Sequence, residues 1–185
     1  MAKSLVVGIG LNDTTLGRTD CPFYHRWYRM LARCYSPQEQ ARHPYYIGCS
    51  VHPDWHNFSN FLDWMITQNW HGKDLDKDLL VTGNKMYGPD TCAFIDPKTN
   101  GFLSNGNAHL TSASGVFGVT VNRQTKKLKA RCQNPFTGQN EHLGYFDTPT
   151  DAHEAWRKRK HELACQLAVY ETDPRVQQAL LSRYQ

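Results

Sequence analysis

Apolar and polar residues alternate strictly in two stretches of the last third of the chain. Val119 and Val121 interleave with Thr120 and Asn122, and Leu128, Ala130 and Cys132 interleave with Lys127, Lys129, Arg131 and Gln133. A period of two predicts strands over Phe117–Asn122 and Lys127–Gln133, each with one buried and one wet face. A turn with Pro135 and Gly138 leads to a third strand, His142–Phe146. The period then changes. Ala152, Ala155, Trp156, Leu163, Ala164 and Leu167 form one stripe of a helix running to about Ala168, with Arg157-Lys158-Arg159-Lys160 on the remaining surface. Thr148 suits the N-cap, Pro149 the first helical position, and Asp151 follows the cap by three residues.

The same logic, applied upstream, predicts a helix over residues 22 to 35, with Phe23, Trp27, Met30, Leu31 and Cys34 inward and Arg26, Arg29 and Arg33 outward, on a solvated face by preference or, alternatively, tracking phosphates. A second helix spans about Asn57–Gln68, capped by Asn57, with Phe58, Phe61, Leu62 and Met65 on its core side. Residues 1 to 20 read as a loose leader and Pro37 to Tyr46 as a loop. Thr172-Asp173-Pro174 opens a short terminal helix with Val176, Leu180 and Tyr184 on its apolar edge.

Charge changes the picture by where it lies. Residues 115 to 170 hold nine Lys/Arg against five Asp/Glu, a net +4 that equals the formal charge of the whole chain. A sheet with a basic outer face suits nucleic acid, since a strand ribbon fits the major groove while Arg and Lys reach phosphates and guanines. No apolar run approaches the length of about eighteen residues that a membrane span needs. The N-terminal apolar stretch is too short for a signal peptide. The six cysteines include no Cys-x-x-Cys pair and suit reduced thiols in a cytoplasm. Cys49, His52 and His56, with Cys34, have the residue types of a zinc site, but the intervening Pro53 and Trp55, with Ile47, Val51 and Phe58, favour core packing. Gly8-Ile9-Gly10 lacks the third glycine and the helix of a dinucleotide fingerprint.

Phe117-Gly118-Val119, Lys129-Ala130, Leu143-Gly144-Tyr145-Phe146-Asp147-Thr148 and Asp151-Ala152-His153-Glu154-Ala155-Trp156 resemble the ethylene-response-factor type of DNA-binding domain. That resemblance covers about a third of the chain. It implies a three-stranded sheet in the major groove, backed by one helix, and phage proteins carry the module beside HNH nuclease segments. The plant pattern is rich in Arg and Trp on its reading face; here the candidate DNA-contacting residues are Thr120, Asn122, Arg123, Lys127, Lys129, Arg131 and His142, so sequence preference does not carry over.

A second resemblance lies upstream. Leu75-Asp76-Lys77-Asp78, Gly83-Asn84-Lys85-Met86-Tyr87-Gly88-Pro89 and Phe94-Ile95-Asp96-Pro97-Lys98-Thr99-Asn100 resemble the ββα core of phage HNH endonucleases. By position it implies Asp76 and Asn100 as ligands of one divalent metal, Mg²⁺ or Mn²⁺, which would polarise the phosphate. Lys77 stands where the general-base His belongs. A lysine flanked by Asp74, Asp76 and Asp78 favours its charged form and is a poor proton acceptor. Asn84 or Asp90 is a loose counterpart of the middle Asn, and His71 and then His109 are substitute bases.

The sequence therefore predicts an α+β protein. Residues 1–105 hold helices and a degenerate ββα segment, and residues 106–185 a three-stranded antiparallel sheet packed on one long helix. Gly101 to Gly115 is the connection between them. Three functions stay open: a phage DNA-binding protein with a degenerate nuclease centre, an active homing-type endonuclease using a divalent metal, and an effector that binds a host protein to inhibit a defence system. Double-stranded DNA is the expected partner in the first two, and a host cell's cytoplasm the expected place.

Overall fold

A computed structural model of the chain describes residues 4–17, 19, 21–104, 115–122 and 124–185. Two compact units form, Met1–Phe94 and Ile95–Gln185. The architecture is α+β, with six α-helices among the described residues.

In the first unit, helix α1 (Pro22–Tyr35) starts on a proline, whose fixed φ suits the first turn. Its inner face carries Trp27, Met30, Leu31 and Cys34, as the spacing predicts, together with Tyr24; Phe23 is only partly buried. Trp27 is fully buried, packs on Tyr24 and Phe58, and donates its indole N–H to the Trp55 carbonyl at 2.6 Å. A buried indole needs such an acceptor. Helix α3 (Phe58–Ile66) brings Phe58, Phe61 and Met65 into the same core.

Four expectations for this unit are corrected. The stretch from Pro37 is not all loop: Pro37–Arg42 is helix α2, and Pro44–Tyr46 is one turn of 3₁₀ helix. Ser36 caps α2 by accepting the Glu39 N–H, with Pro37 at the first position. The leader is packed rather than loose. Val6, Val7 and Ile9 lie on the core, Leu11 bridges to Asn57, and a Cβ on Gly10 would overlap Leu31 and Trp27. Asn57 occupies the N-cap of α3, but its side chain accepts no capping bond. Asp13 caps from the leader instead, accepting the Ser59 N–H at 2.9 Å. Ile47 is 60% exposed, outside the core expected to hold it.

Four short strands complete the unit: β1 (Ser50–Val51), β2 (Asp74–Asp76), β3 (Met86–Tyr87) and β4 (Ala93–Ile95), the last ending on the first residue of the second unit. β1 pairs with β3 in parallel, and β2 pairs with β4.

The second unit begins with helix α4 (Pro97–Leu103). Asp96 accepts the Lys98 N–H as its cap. The buried Glu171 carboxylate accepts from the Asp96 N–H and from the Thr99 hydroxyl at 2.6 Å, placing negative charge at the helix N-terminus. The sequence assigned these residues to the first region, yet their packing partners are here.

The antiparallel sheet β5 (Val119–Val121), β6 (Leu128–Gln133) and β7 (Asn140–Phe146) packs on helix α5 (Pro149–Ala168). Val119, Leu128, Ala130 and Ala152 form the buried contact. Thr148 caps α5 by accepting the Asp151 N–H at 3.1 Å. Helix α6 (Pro174–Ser182) adds Val176 and Leu180. Trp156 is only 7% exposed, with Phe117 and His153 stacked near it. One assignment on α5 is overturned: Lys160, placed with the surface cations by the sequence, is buried.

Candidate nucleic-acid interface

The outer face of the β5–β6–β7 sheet follows from its register. Thr120 lies opposite Lys129, and Lys129 opposite Tyr145. Pairing then shifts: Ala130 meets Gly144, but Arg131 meets His142, so Leu143 is a one-residue bulge. Without it Leu143 would stand opposite Arg131 on the wet face. With it, Leu143 packs on the core and His142 joins Arg131 outside.

The result is one continuous outward set. Tyr145 is 48% exposed, with the His142 ring edge-on at 4.9 Å and the Lys129 ammonium 5.9 Å from its ring centre. Arg131 and Thr120 are exposed beside them. Lys127 is also exposed, but faces Asp147 at 3.6 Å, a surface pair that binds it weakly. Asn122 sits at the strand end and is used locally: its side-chain oxygen accepts the Gln124 and Thr125 N–H groups and fixes the β5–β6 turn. Arg123 lies outside the described residues. Tyr145 belongs with the outward set although the sequence assigned it no DNA contact; its strand parity is masked by the bulge.

The only carboxylate within these three strands, Glu141, points the other way. Arg159 of α5 grips it through two N–H bonds, at 2.6 and 3.1 Å, and the Asn134 amide donates at 2.7 Å. Those bonds hold the Glu141 carboxyl down at about 2, well below the ordinary glutamate range, and raise the Arg159 guanidinium. The sheet's outward strand positions therefore carry cations, an imidazole, a phenol and neutral polar groups, and no acid.

The upstream candidates are arranged differently. Asp76 Oδ1 accepts the Asp78 N–H at 2.9 Å and the Leu79 N–H at 2.7 Å. Burial raises its pKa, and these two N–H bonds act against that shift. Lys77 is 5% exposed. Its ammonium donates to Asp78 at 2.5 Å and to the Asn84 carbonyl at 3.3 Å, and lies 5.7 Å from the Tyr87 ring centre. Asn84 returns two bonds, from its amide to the Lys77 and Met86 carbonyls. Asp76, Lys77 and Asn84 are thus the clasp of a turn. His71 stacks on Trp70 before β2, with ring centres 3.8 Å apart. Asn100 sits on α4 in the second unit, and His109 lies outside the described residues.

The described residues contain no group of three His, Cys, Asp or Glu side chains that could hold a metal ion. At the zinc-like spacing, burial pushes the Cys34 thiol up to about 12, opposing thiolate formation, and the His56 ring faces the Val51 carbonyl at 3.2 Å. Arg26, expected in solvent, bonds the Lys73 carbonyl at 2.7 Å and neighbours Asp74; Arg33 lies over Tyr46, while Arg29 is exposed. No helix among the described residues is long and apolar enough to cross a membrane. No protein-family model matches the chain, and no curated protein or solved structure matches it either.

Proposed function

We propose that the chain is a phage-type DNA-binding protein that lays the outer face of β5–β6–β7 in the major groove of double-stranded DNA, in the cytoplasm of a host cell. One observation carries this reading: the outward row Thr120, Lys129, Arg131, His142 and Tyr145 is free of carboxylates, because the one acid of the sheet is turned inward onto Arg159. Cations on such a row neutralise phosphates, and Arg131 has the fork that pairs with a guanine edge.

The Asp76-Lys77-Asp78 turn is a nuclease-like segment that has lost its base. Supporting this, the Lys77 ammonium is committed to Asp78 and the Asn84 carbonyl rather than presented to a water molecule. A general base contributes about 10²–10⁴ in rate, so its loss leaves little hydrolysis.

Two assays on the purified chain test the proposal. Fluorescence anisotropy with a labelled duplex should show binding that Lys129→Ala with Arg131→Ala weakens and Lys158→Ala, on the exposed side of α5, does not. Supercoiled plasmid with Mg²⁺ or Mn²⁺ should stay intact. Nicking that disappears in Asp76→Ala would instead make the chain an active endonuclease. Absence of duplex binding, with capture of a host protein from nuclease-treated lysate, would replace DNA by a protein partner.

A further inference from the structure

The second unit contains a pocket of about 370 Å³ between α4, α5 and the β6–β7 hairpin. None of the outward cations of the sheet lines it. Its walls include the Phe102, Phe117 and Trp156 rings, and Lys160 and Lys98 bring two ammonium groups.

Lys160 is the unusual wall. It is 6% exposed and donates to the Phe102 carbonyl at 2.5 Å, so it closes the last turn of α4. Its ammonium lies 3.7 Å from the Phe102 ring centre, and 5.8 and 5.6 Å from those of Trp156 and Tyr184. Ring faces attract a cation, but they do not replace a counter-ion. Among the described residues no carboxylate pairs with Lys160; its charged neighbour is Arg183, of like sign. A buried ammonium in that state is costly unless an anion or further acceptors reach it.

We propose that this pocket binds a small planar ring bearing an anionic group, a carboxylate or a phosphate, with the anion on Lys160 and the ring against Phe102 and Trp156. The volume lies near the lower end of ligand pockets, about 300–1,000 Å³, which suits a single substituted ring or a mononucleotide and excludes a long chain. Lys98, whose ammonium lies 5.3 Å from the Phe136 ring centre, adds a second positive charge at the pocket.

The chemistry of Lys160 offers a direct probe. Burial lowers its ammonium to about 8, with Arg183 adding a smaller push in the same direction. Near pH 8 a substantial fraction is therefore the neutral amine, which adds to an aldehyde and loses water to form an imine. Pyridoxal 5′-phosphate combines a planar ring with an aldehyde for the Lys160 amine, and in the imine its phosphate is left to Lys98, the other lysine of the pocket. The experiment treats the full chain with this probe at pH 8, reduces the imine with borohydride, and maps modified lysines by mass spectrometry. Lys160 should be labelled about tenfold or more faster than the exposed Lys158, because burial lowers its ammonium and the pocket holds the probe beside it. Benzoate or adenosine monophosphate should protect it, and whichever protects identifies the anion. Whichever protects should also raise the melting temperature of the wild type by mass action but not that of Lys160→Met, whose own melt reports its folding. Labelling of Lys160 no faster than Lys158, or labelling unchanged by both competitors, would overturn the proposal.

Discussion

Lys77 and Lys160 are both lysines in charge-rich runs, Asp76-Lys77-Asp78 and Arg157-Lys158-Arg159-Lys160, and both are buried, for different reasons. Lys77 points into its own turn, where Asp78 and the Asn84 carbonyl meet it. Lys160 points inward from α5 onto Phe102. A charge run is read from sequence as solvated surface because a lone buried cation is costly; Lys77 has the adjacent Asp78 and a carbonyl seven residues on, whereas the acceptor of Lys160 lies fifty-eight residues away, beyond the reach of local pattern. The two sites differ in what removal should do. Lys77→Met leaves the Asn84 carbonyl without its ammonium in a tight turn and should lower stability by about 1–3 kcal/mol; urea unfolding of the full chain would measure it, and a change under a few tenths would show that the ammonium does not hold the turn. Gly118 shows a residue whose motif was visible but whose reason was not. Its φ is +73°, and a Cβ there would overlap the Trp156 indole. Gly118→Ala combines backbone strain with overpacking and should cost about 2 kcal/mol or more, read as a lower melting temperature.

At the scale of elements, the sheet and α5 were legible because they are written in local period and local caps. The Thr148–Pro149–Asp151 start and the end at Ala168 are as the sequence predicts. Helix α2 carried an equally local signal, Ser36-Pro37 followed by Glu39, hidden by the absence of any buried residue on it. The β7 bulge had no local signal beyond Gly144, at φ +135°, since a shift of register shows only against the partner strand. Element packing makes two predictions. Trp156→Ala should destabilise by about 3–5 kcal/mol, a fall in melting temperature on the order of 10 °C or more; a shift of a degree or two would mean that the indole holds little of the core. Glu141 ties β7 to α5, and its folded pKa is depressed from 4.5 to about 2 by Arg159. A depressed carboxylate contributes stability that is present above the unfolded value and lost as pH falls through the folded one. The wild type should therefore lose melting temperature between pH 4.5 and about 2 by more than Glu141→Gln does, and equal losses would show the pair to be energetically idle.

For the whole molecule, composition placed the excess positive charge in residues 115 to 170, and the structure puts part of it on one sheet face and part of it inside. The division of the chain follows long-range packing that no single stretch reveals: Glu171 anchors the start of α4 and Lys160 its end, so α4 belongs with the sequence that follows it. The outer face of the sheet is the proposed DNA surface. The measurement that tests it most directly is the salt dependence of duplex binding by wild type and by Lys129→Ala with Arg131→Ala. The logarithm of the association constant falls linearly with the logarithm of salt, with a slope of about 0.9 for each phosphate neutralised. The slope should be shallower by about one to two in the double variant, according to whether one or both cations meet phosphate. An unchanged slope, with the variant still folded, would contradict it and place the DNA surface elsewhere.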